Sequence, residues 1–142
     1  MIKHFSQDGV SFDYPANWRL EREDADTGWT VTLQSPDTAF LVLRCDQSEP
    51  TPAEVATTAL EALRSEYPDL EAESRVETLA GQMAVGHDTR FFSLDLTNTC
   101  WTRAFESDAG TILLMCQIND LELETHEPVL RAIAASLRVE AD

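Results

Sequence analysis

Basic residues are scarce in this sequence of 142 residues. One lysine and nine arginines face 26 aspartate and glutamate residues, and the net charge is −16 at pH 7. Nucleic acids and anionic membrane surfaces repel such a chain, so neither is an expected partner. The acidic surface has two interpretations that the sequence leaves open. It can be a solvated surface that keeps the protein soluble, or it can attract a basic protein partner.

Long apolar runs and cysteine pairs are missing as well. No segment reaches the roughly 20 apolar residues of a membrane-spanning helix, and residues 1–8 lack the apolar run of a secretory signal. Cys45, Cys100 and Cys116 are an odd number without a CxxC pair, which argues against a disulfide framework. Each lies in an apolar segment, where cysteine is a small buried side chain. We therefore expect a cytoplasmic protein in a reducing environment.

Sequence motifs of common catalytic and cofactor sites are also absent. The chain has no GxSxG, GxxxxGKS/T, GxGxxG, HExxH or EF-hand pattern. His87 and Asp88 are adjacent, so in a strand their side chains point to opposite faces and cannot form a base–carboxylate pair. A zinc site from His87, Cys100 and Cys116 would require three strands to converge without a local ligand pair. We predict no cofactor and no metal, and we favour a non-enzymatic protein.

The order of the predicted elements indicates a single α+β domain over residues 1–142. The acidic segment 21–28 is predicted to be a loop. Strands are predicted at residues 10–14, 29–34 and 39–45 and in a four-strand meander over residues 70–118. Turns of the meander are predicted at residues 80–81, 97–98 and 108–110. Because short turns require antiparallel neighbours, we expect an antiparallel sheet of about six to seven strands packed against helices in an α/β/α sandwich.

Two amphipathic helices are predicted to cover the sheet. Thr51 and Glu54 fit a capping box with Pro52 at the first helical position, and Pro68 ends this helix. A second helix is predicted over residues 125–137, with Pro128 in its first turn, where proline is tolerated. Their apolar residues follow helical spacing, which indicates core packing.

Three segments resemble the PsbP-like superfamily. Residues 8–18, DGVSFDYPANW, resemble its opening pattern, in which a glycine, a serine between hydrophobic residues, a Tyr-Pro pair and a tryptophan follow one another. Residues 79–84 resemble its mid-chain turn, and residues 133–138 its closing helix. The superfamily includes the photosystem II extrinsic subunit, the Mog-type Ran-binding import factor and bacterial proteins without assigned roles. The resemblance implies a sheet between helices, and it transfers no functional residue because the relatives have unrelated binding roles.

The meander predicts one surface that mixes aromatic side chains with arginines. With loops at residues 97–98 and 108–110, Arg103 would pair with Phe92 and with Met115. One face of the sheet would then carry Arg90, Phe92, Leu94, Trp101, Arg103, Phe105, Leu113, Met115 and Gln117. Tryptophan and arginine anchors are typical of protein-binding surfaces. Arginine stems also cover aromatic rings at the rim of a core, so a structural role is the alternative.

Arg90, Trp101, Arg103 and Met115 are therefore the candidate binding residues. We predict a non-enzymatic protein-binding or accessory module that acts through a sheet face or rim. The alternative is a binder of small hydrophobic ligands, or a small enzyme, with a pocket between sheet and helices. A closed pocket of roughly 300 Å³ or more would favour the ligand, and an exposed aromatic–arginine patch would favour the protein partner. A homodimer through an uncovered face is compatible with either function.

Overall fold

Two antiparallel sheets and two helices make up the computed structural model, which describes residues 1–140. The larger sheet has seven strands, in spatial order β3 (Arg19–Ala25), β4 (Gly28–Gln34), β5 (Phe40–Asp46), β9 (Gly110–Asn119), β8 (Leu96–Ser107), β7 (Gln82–Ser93) and β6 (Glu71–Leu79). The smaller sheet has three strands, in spatial order β1 (Ile2–Gln7), β2 (Val10–Pro15) and β10 (Arg138–Val139). The helices are α1 (Pro52–Glu66) and α2 (Leu123–Ala135), and a 3-10 turn (Asp120–Glu122) precedes α2.

The predicted α+β class and antiparallel sheet are confirmed. Helix α1 packs on β7, β8 and β9 on one side of the large sheet, here called face B. Helix α2 packs on β9 and β2 on the other side, here called face A, together with the small sheet. The prediction did not contain strand β1, although the Asp8-Gly9 turn that joins β1 to β2 has positive φ at both residues and is a local hairpin signal. It did not contain β10 either, because that strand has only two residues and pairs with β2 from the far end of the chain. Residues 141 and 142 of the predicted domain lie outside the described part.

The main core lies on face A. Alternate side chains of β4, β5 and β9 point into it, and α2 and β2 supply the opposing side chains. Its fully buried members include Val10, Phe12, Val31, Leu33, Leu41, Leu43, Ile112, Leu114, Ile118 and Leu130. Burying one side chain of this size contributes about 1.5–3 kcal/mol, so the hydrophobic effect holds the small sheet and α2 against face A.

Helix α1 begins with the predicted capping box. The Thr51 hydroxyl accepts a hydrogen bond from the Glu54 amide (3.1 Å), and the Glu54 carboxylate accepts one from the Thr51 amide (3.3 Å). At the other end, the ring of Tyr67 stacks on Phe91 of β7 with a centroid separation of 4.0 Å. The helix covers face B over β7 to β9, and Arg44 of β5 remains exposed on the same face.

Two of the three predicted turns of the meander are wrong in position or length. The turn between β7 and β8 lies at Leu94 and Asp95, both with positive φ (54° and 63°), and not at residues 97–98. Between β8 and β9, Ser107 pairs with Gly110, which leaves a two-residue loop in place of the predicted three-residue loop. The ladder is therefore shifted by one residue, and a shift of one residue turns every side chain of β9 to the other face.

Two further expectations change. The acidic segment predicted as a loop is mostly strand: β3 pairs with β4 along its whole length, as an exposed edge strand with five charged residues of seven. Charged side chains are compatible with an edge strand because both of its faces can remain in water.

Helix α2 begins at Leu123, two residues earlier than predicted, so Pro128 lies in its second turn and not in its first.

Candidate functional site

The four predicted binding residues do not share one surface. Trp101 and Arg103 of β8 and Arg90 of β7 lie on face A, whereas the observed register places Met115 of β9 on face B. The prediction that Met115 pairs with Arg103 is therefore wrong, since Arg103 lies opposite Leu114. Trp101 and Arg103 are each only 3% exposed, while Arg90 is exposed. Binding by these residues stays a prediction, and their burial leaves Arg90 as the accessible member on face A.

Arg103 is the centre of a charged network across three strands. Its Nη2 donates to Asp88 of β7 at 2.9 Å, its Nη1 donates to the Thr102 carbonyl at 2.8 Å, and its Nε lies 3.2 Å from a carboxylate oxygen of Glu77 of β6. Asp88 also accepts a hydrogen bond from Arg75 of β6 (2.9 Å). Buried guanidinium groups require such partners, so the network ties β6, β7 and β8 together on face A.

Asp88 remains ionised in this network. Partial burial raises the pKa of its carboxyl, but hydrogen bonds from Arg75 and Arg103 and the charges of both guanidinium groups lower it by more. The net result is a pKa below the usual 3.8. A carboxylate with a lowered pKa and two arginine partners is a poor proton donor near neutral pH, so the network serves structure better than acid–base catalysis.

Trp101 is covered from above by a residue that the sequence did not indicate. The guanidinium carbon of Arg131, on α2, lies 4.4 Å from the centre of the Trp101 ring, within the range of a cation–π contact. Arg131 is 54% exposed, and its nearest carboxylate, from Glu127, is 3.7 Å away. One side of the guanidinium thus contacts the ring while its N–H donors remain accessible.

A cleft of about 430 Å³ opens beside this pair, lined by residues of β6, β7 and β8 and by Arg131 of α2. We call it the Trp101 cleft. Six of its ten lining residues are charged, three of each sign: Glu71, Glu73, Arg75, Asp88, Arg90 and Arg131. The cleft is therefore a neutral region in a strongly acidic molecule. Within residues 1–140, Arg90 forms no ion pair, so its guanidinium is available to a ligand.

A second, more apolar groove of about 360 Å³ lies between α1 and the sheet on face B. We call it the Tyr67 groove, and its apolar side chains on face B are those of Phe40, Tyr67, Leu94 and Leu96. Leu94, which lines the groove, is 92% exposed at the tip of the β7–β8 hairpin.

One cluster brings together groups that metal ions bind. The ligand atoms of Asp37, Glu122 and His126 lie within 4.8 Å of one another. His126 Nε2 is 2.7 Å from the Asp37 carboxylate, and its side chain is buried. The sequence separated these residues by 89 positions, which is why the pair was not predicted.

The hydrogen bonds of Glu122 argue against a metal at this cluster. One carboxylate oxygen accepts from the amides of Thr38 (3.1 Å) and Ala39 (2.9 Å), and the other accepts from the Thr38 hydroxyl and the Asn119 side chain (3.0 Å). These four donors occupy the lone pairs that a cation would require. Burial raises the pKa of Glu122, and the hydrogen bonds from Thr38, Ala39 and Asn119 lower it by more, to below 4.5. The cluster therefore fastens the β4–β5 loop to the start of α2.

The cysteines and His87 do not form a nucleophilic site. Burial, with the nearby charges of Asp8 and Asp46, raises the pKa of Cys45 to about 11. Burial also raises the pKa of Cys100 to about 12 and the pKa of Cys116 further. His87 lies on face B, opposite in direction to Asp88, and burial lowers its pKa below 6.5. A thiol must ionise to attack, so the three thiols are unreactive near neutral pH.

Among residues 1–140, no helix combines the length and the apolar character that crossing a membrane would require.

Solved structures with the same arrangement are distant in sequence. Cyanobacterial PsbP (CyanoP) from Synechocystis sp. PCC 6803 has a TM-score of 0.69 at 13% identity, covering 98% of this chain and 92% of that chain. LpqN, involved in cell envelope biogenesis of Mycobacterium tuberculosis, has a TM-score of 0.57 at 16% identity, covering 99% and 92%. PA94 from Pseudomonas aeruginosa, a protein of unknown function, has a TM-score of 0.59 at 14% identity, covering 99% of both chains.

No protein-family model and no curated protein matches this sequence. Identities of 13–16% carry information about the fold and not about the activity. The PsbP-like fold that the sequence resemblance implied is confirmed, because the structure aligns with cyanobacterial PsbP over 98% of this chain. The chain therefore has the PsbP-like fold.

Proposed function

We propose that this chain is a cytoplasmic, non-enzymatic protein-binding module whose partner docks in the Trp101 cleft, at the rim of face A. The observation that carries the proposal is the combination of Arg131 held on the Trp101 ring with Arg90, which has no ion-pair partner within residues 1–140. Both arginines border an open cleft. Trp101 is itself buried, so its role in the proposal is to hold Arg131 in place, and arginine is among the residue types that most often dominate binding energy at protein interfaces.

The charges of the cleft suggest what the partner presents. Arg90 and Arg131 can each form two parallel hydrogen bonds with a carboxylate, so an acidic side chain or a C-terminal carboxylate fits between them. Phe92 follows Arg90 on the same face of β7 and offers 70% of its surface to an apolar neighbour. The chain has a net charge of −16, so the surface around the cleft favours a partner that is basic around the acidic group it presents. Such a partner is attracted both by the arginines of the cleft and by the acidic surface around it.

The lining of the cleft favours a protein over a small hydrophobic ligand. Pockets for such ligands are lined mainly by apolar side chains with few polar groups, whereas most residues of the Trp101 cleft are charged. The sequence has no motif of a common catalytic site, and Asp88, the carboxylate in the cleft with a lowered pKa, is a poor proton donor near neutral pH. Both observations agree with a role in binding.

Quantitative capture of partners from the native cell tests the site. The variant Arg90→Glu/Arg131→Glu should lose the partner that the wild-type protein retains, because both carboxylate contacts become repulsive. The matched control is Arg44→Glu/Arg64→Glu, which changes the net charge equally but places the changes on face B and α1. Loss of the same partner from both variants would indicate a general charge effect, and retention by the first variant would rule out the cleft.

The Tyr67 groove supports a second candidate function, the binding of a small apolar ligand between sheet and helix. Its lining is mainly apolar, in contrast to the Trp101 cleft. Nile red, an uncharged fluorescent dye, is a suitable probe. We expect fluorescence enhancement that Leu96→Asp abolishes and Arg90→Glu leaves unchanged. No enhancement with the wild-type protein would remove this candidate and leave the first one unaffected.

A further inference from the structure

Strand β6 is an open edge of the large sheet. It pairs with β7 without interruption from Glu71 to Leu79, and no other strand among residues 1–140 pairs with its outer side. Edge strands that avoid association carry charged side chains, lysine above all, or proline or a bulge. Strand β6 has no proline, lysine or bulge, and its four charged residues of nine all lie on face A, so its face B side is uncharged. The opposite edge, β3, has five charged residues of seven. The two edges therefore differ, and β6 is the less protected one.

The tight turn after β6 determines which backbone groups face outward. Ala80 and Gly81 form a two-residue loop with positive φ (52° and 77°), so the flanking pair, Leu79 and Gln82, is hydrogen-bonded. Hydrogen-bonded and non-hydrogen-bonded pairs alternate along an antiparallel ladder. The amides and carbonyls that point away from β7 consequently belong to Ala72, Ser74, Val76 and Thr78. All four are uncharged, and Val76 is 67% exposed.

We infer that a second copy of this chain pairs with β6 in antiparallel direction, centred on Val76. In this register Val76 lies opposite the partner's Val76, and Ser74 lies opposite the partner's Thr78. Arg75 lies opposite the partner's Glu77 on face A, and the symmetry repeats that contact. Opposite charges directly across an antiparallel pair are favourable.

Charge excludes the neighbouring registers. Centring the pair on Arg75 places two arginines opposite each other and Glu73 opposite the partner's Glu77. Centring it on Ser74 places Glu71 opposite the partner's Glu77, and centring it on Glu73 or Glu77 places a glutamate opposite itself. Like charges directly opposite destabilise a pair. Among registers centred on residues 73–77, the Val76 register alone has no like charges directly opposite.

The geometry of Arg75 is compatible with the additional contact. Its Nε donates to Asp88 and its Nη2 donates to Glu73, while its Nη1 makes no hydrogen bond within the described chain. The Arg75 side chain is 44% exposed, so Nη1 can reach a carboxylate of the partner. The dimer has a continuous sheet of fourteen strands with both Trp101 clefts on the same side. The inference is independent of the proposed partner of the cleft.

Disulfide trapping tests the register. The two Val76 residues would form a hydrogen-bonded pair with Cα atoms about 5.5 Å apart, within the range for a disulfide, whereas the two Ser74 residues would be more than about 13 Å apart along the strands. In a glutathione redox buffer we expect Val76→Cys to give a disulfide-linked dimer in several-fold higher yield than Ser74→Cys. The native cysteines are buried and do not compete. Equal yields, or a higher yield from Ser74→Cys, would overturn the inference.

Sedimentation equilibrium tests association without a covalent link. Because two copies of charge −16 repel each other, added NaCl should strengthen the dimer of the wild-type protein. Val76→Pro removes an outward amide that β7 does not use, and edge strands tolerate proline there. We expect a folded monomer, by circular dichroism, at concentrations where the wild-type protein and Val76→Thr are dimers. A wild-type protein that stays monomeric at every salt concentration would contradict the inference.

Discussion

At the scale of single residues, the half-buried Asp88 compensates the buried charge of Arg103. We expect Asp88→Asn to lower the free energy of unfolding by about 1–3 kcal/mol at pH 7. This is less than the 3–5 kcal/mol typical of breaking a fully buried pair, since Asp88 is 34% exposed and Glu77 still contacts Arg103. Urea denaturation measures the difference.

The pH dependence of the same variant has a definite sign. The pKa of Asp88 is lower in the folded than in the unfolded protein, so its contribution is complete above the unfolded value near 3.8 and is lost as the pH falls through the lowered folded value. The wild-type protein should therefore lose stability more steeply than Asp88→Asn below pH 4. Glu71→Gln, on β6 and the same face, is the control and should behave as the wild type. Parallel acid limbs for all three proteins would exclude the assigned role of Asp88.

The three thiols give a second prediction at this scale. Burial raises the pKa of Cys45 to about 11 and of Cys100 to about 12, so the reactive thiolate is scarce at pH 8. We expect no reaction of the native protein with Ellman's reagent over minutes, and release of three equivalents of thionitrobenzoate in denaturing urea. Rapid stoichiometric reaction of one thiol in the native protein would show a reactive cysteine that the burial does not allow.

At the scale of elements, the β7–β8 hairpin contains unfavourable turn residues. Leu94 and Asp95 both have positive φ, where a residue other than glycine or asparagine costs roughly 1 kcal/mol. Leu94 is 92% exposed, so little burial is lost when it is replaced. We expect Leu94→Asn/Asp95→Gly to raise the free energy of unfolding by about 1–2 kcal/mol, because Asn-Gly suits this turn. Thermal unfolding followed by circular dichroism measures the gain.

The β8–β9 hairpin offers a matched control for that turn. Its loop residues, Asp108 and Ala109, do not have positive φ, whereas Gly110 after them does (143°). Asp108→Asn/Ala109→Gly should therefore give no stabilisation, since glycine in this loop only adds freedom to the unfolded chain. An equal gain in both hairpins would mean that backbone strain at Leu94 is not the cause.

The three hairpins of the meander show what local sequence can and cannot predict. The turn at Ala80 and Gly81 was found because glycine marks positive φ, whereas Leu94 and Asp95 adopt it without such a signal. Gly110 was assigned positive φ correctly, but it is compatible with a two-residue and a three-residue loop. That ambiguity of one residue misplaced Met115, although the fold class survived because it depends on antiparallel order and not on register.

At the scale of the whole molecule, the contacts that define the candidate site join distant parts of the chain. Arg131 reaches Trp101 from α2, and His126 reaches Asp37 across 89 positions. Amphipathic periodicity predicted that α2 covers the sheet, but it does not specify which strand lies beneath a given arginine. The alternation of β7 and β8 alone was enough to place Arg90, Trp101 and Arg103 on one face. How deeply each is buried depends on α2 and β6, and no local sequence pattern describes those contacts.

The net charge of −16 affects the stability of the whole molecule. Acidic groups are closer together in the compact state than in the unfolded chain, so their repulsion favours unfolding. The Debye length falls from about 30 Å at 0.01 M to about 8 Å at 0.15 M salt, and NaCl should therefore raise the unfolding temperature by several degrees over this range. Glu23→Lys/Asp26→Lys, at the exposed β3 edge, adds four units of positive charge and should reduce this salt dependence. If the variant responds to salt as strongly as the wild type, ion-specific hydration and not self-repulsion is the cause.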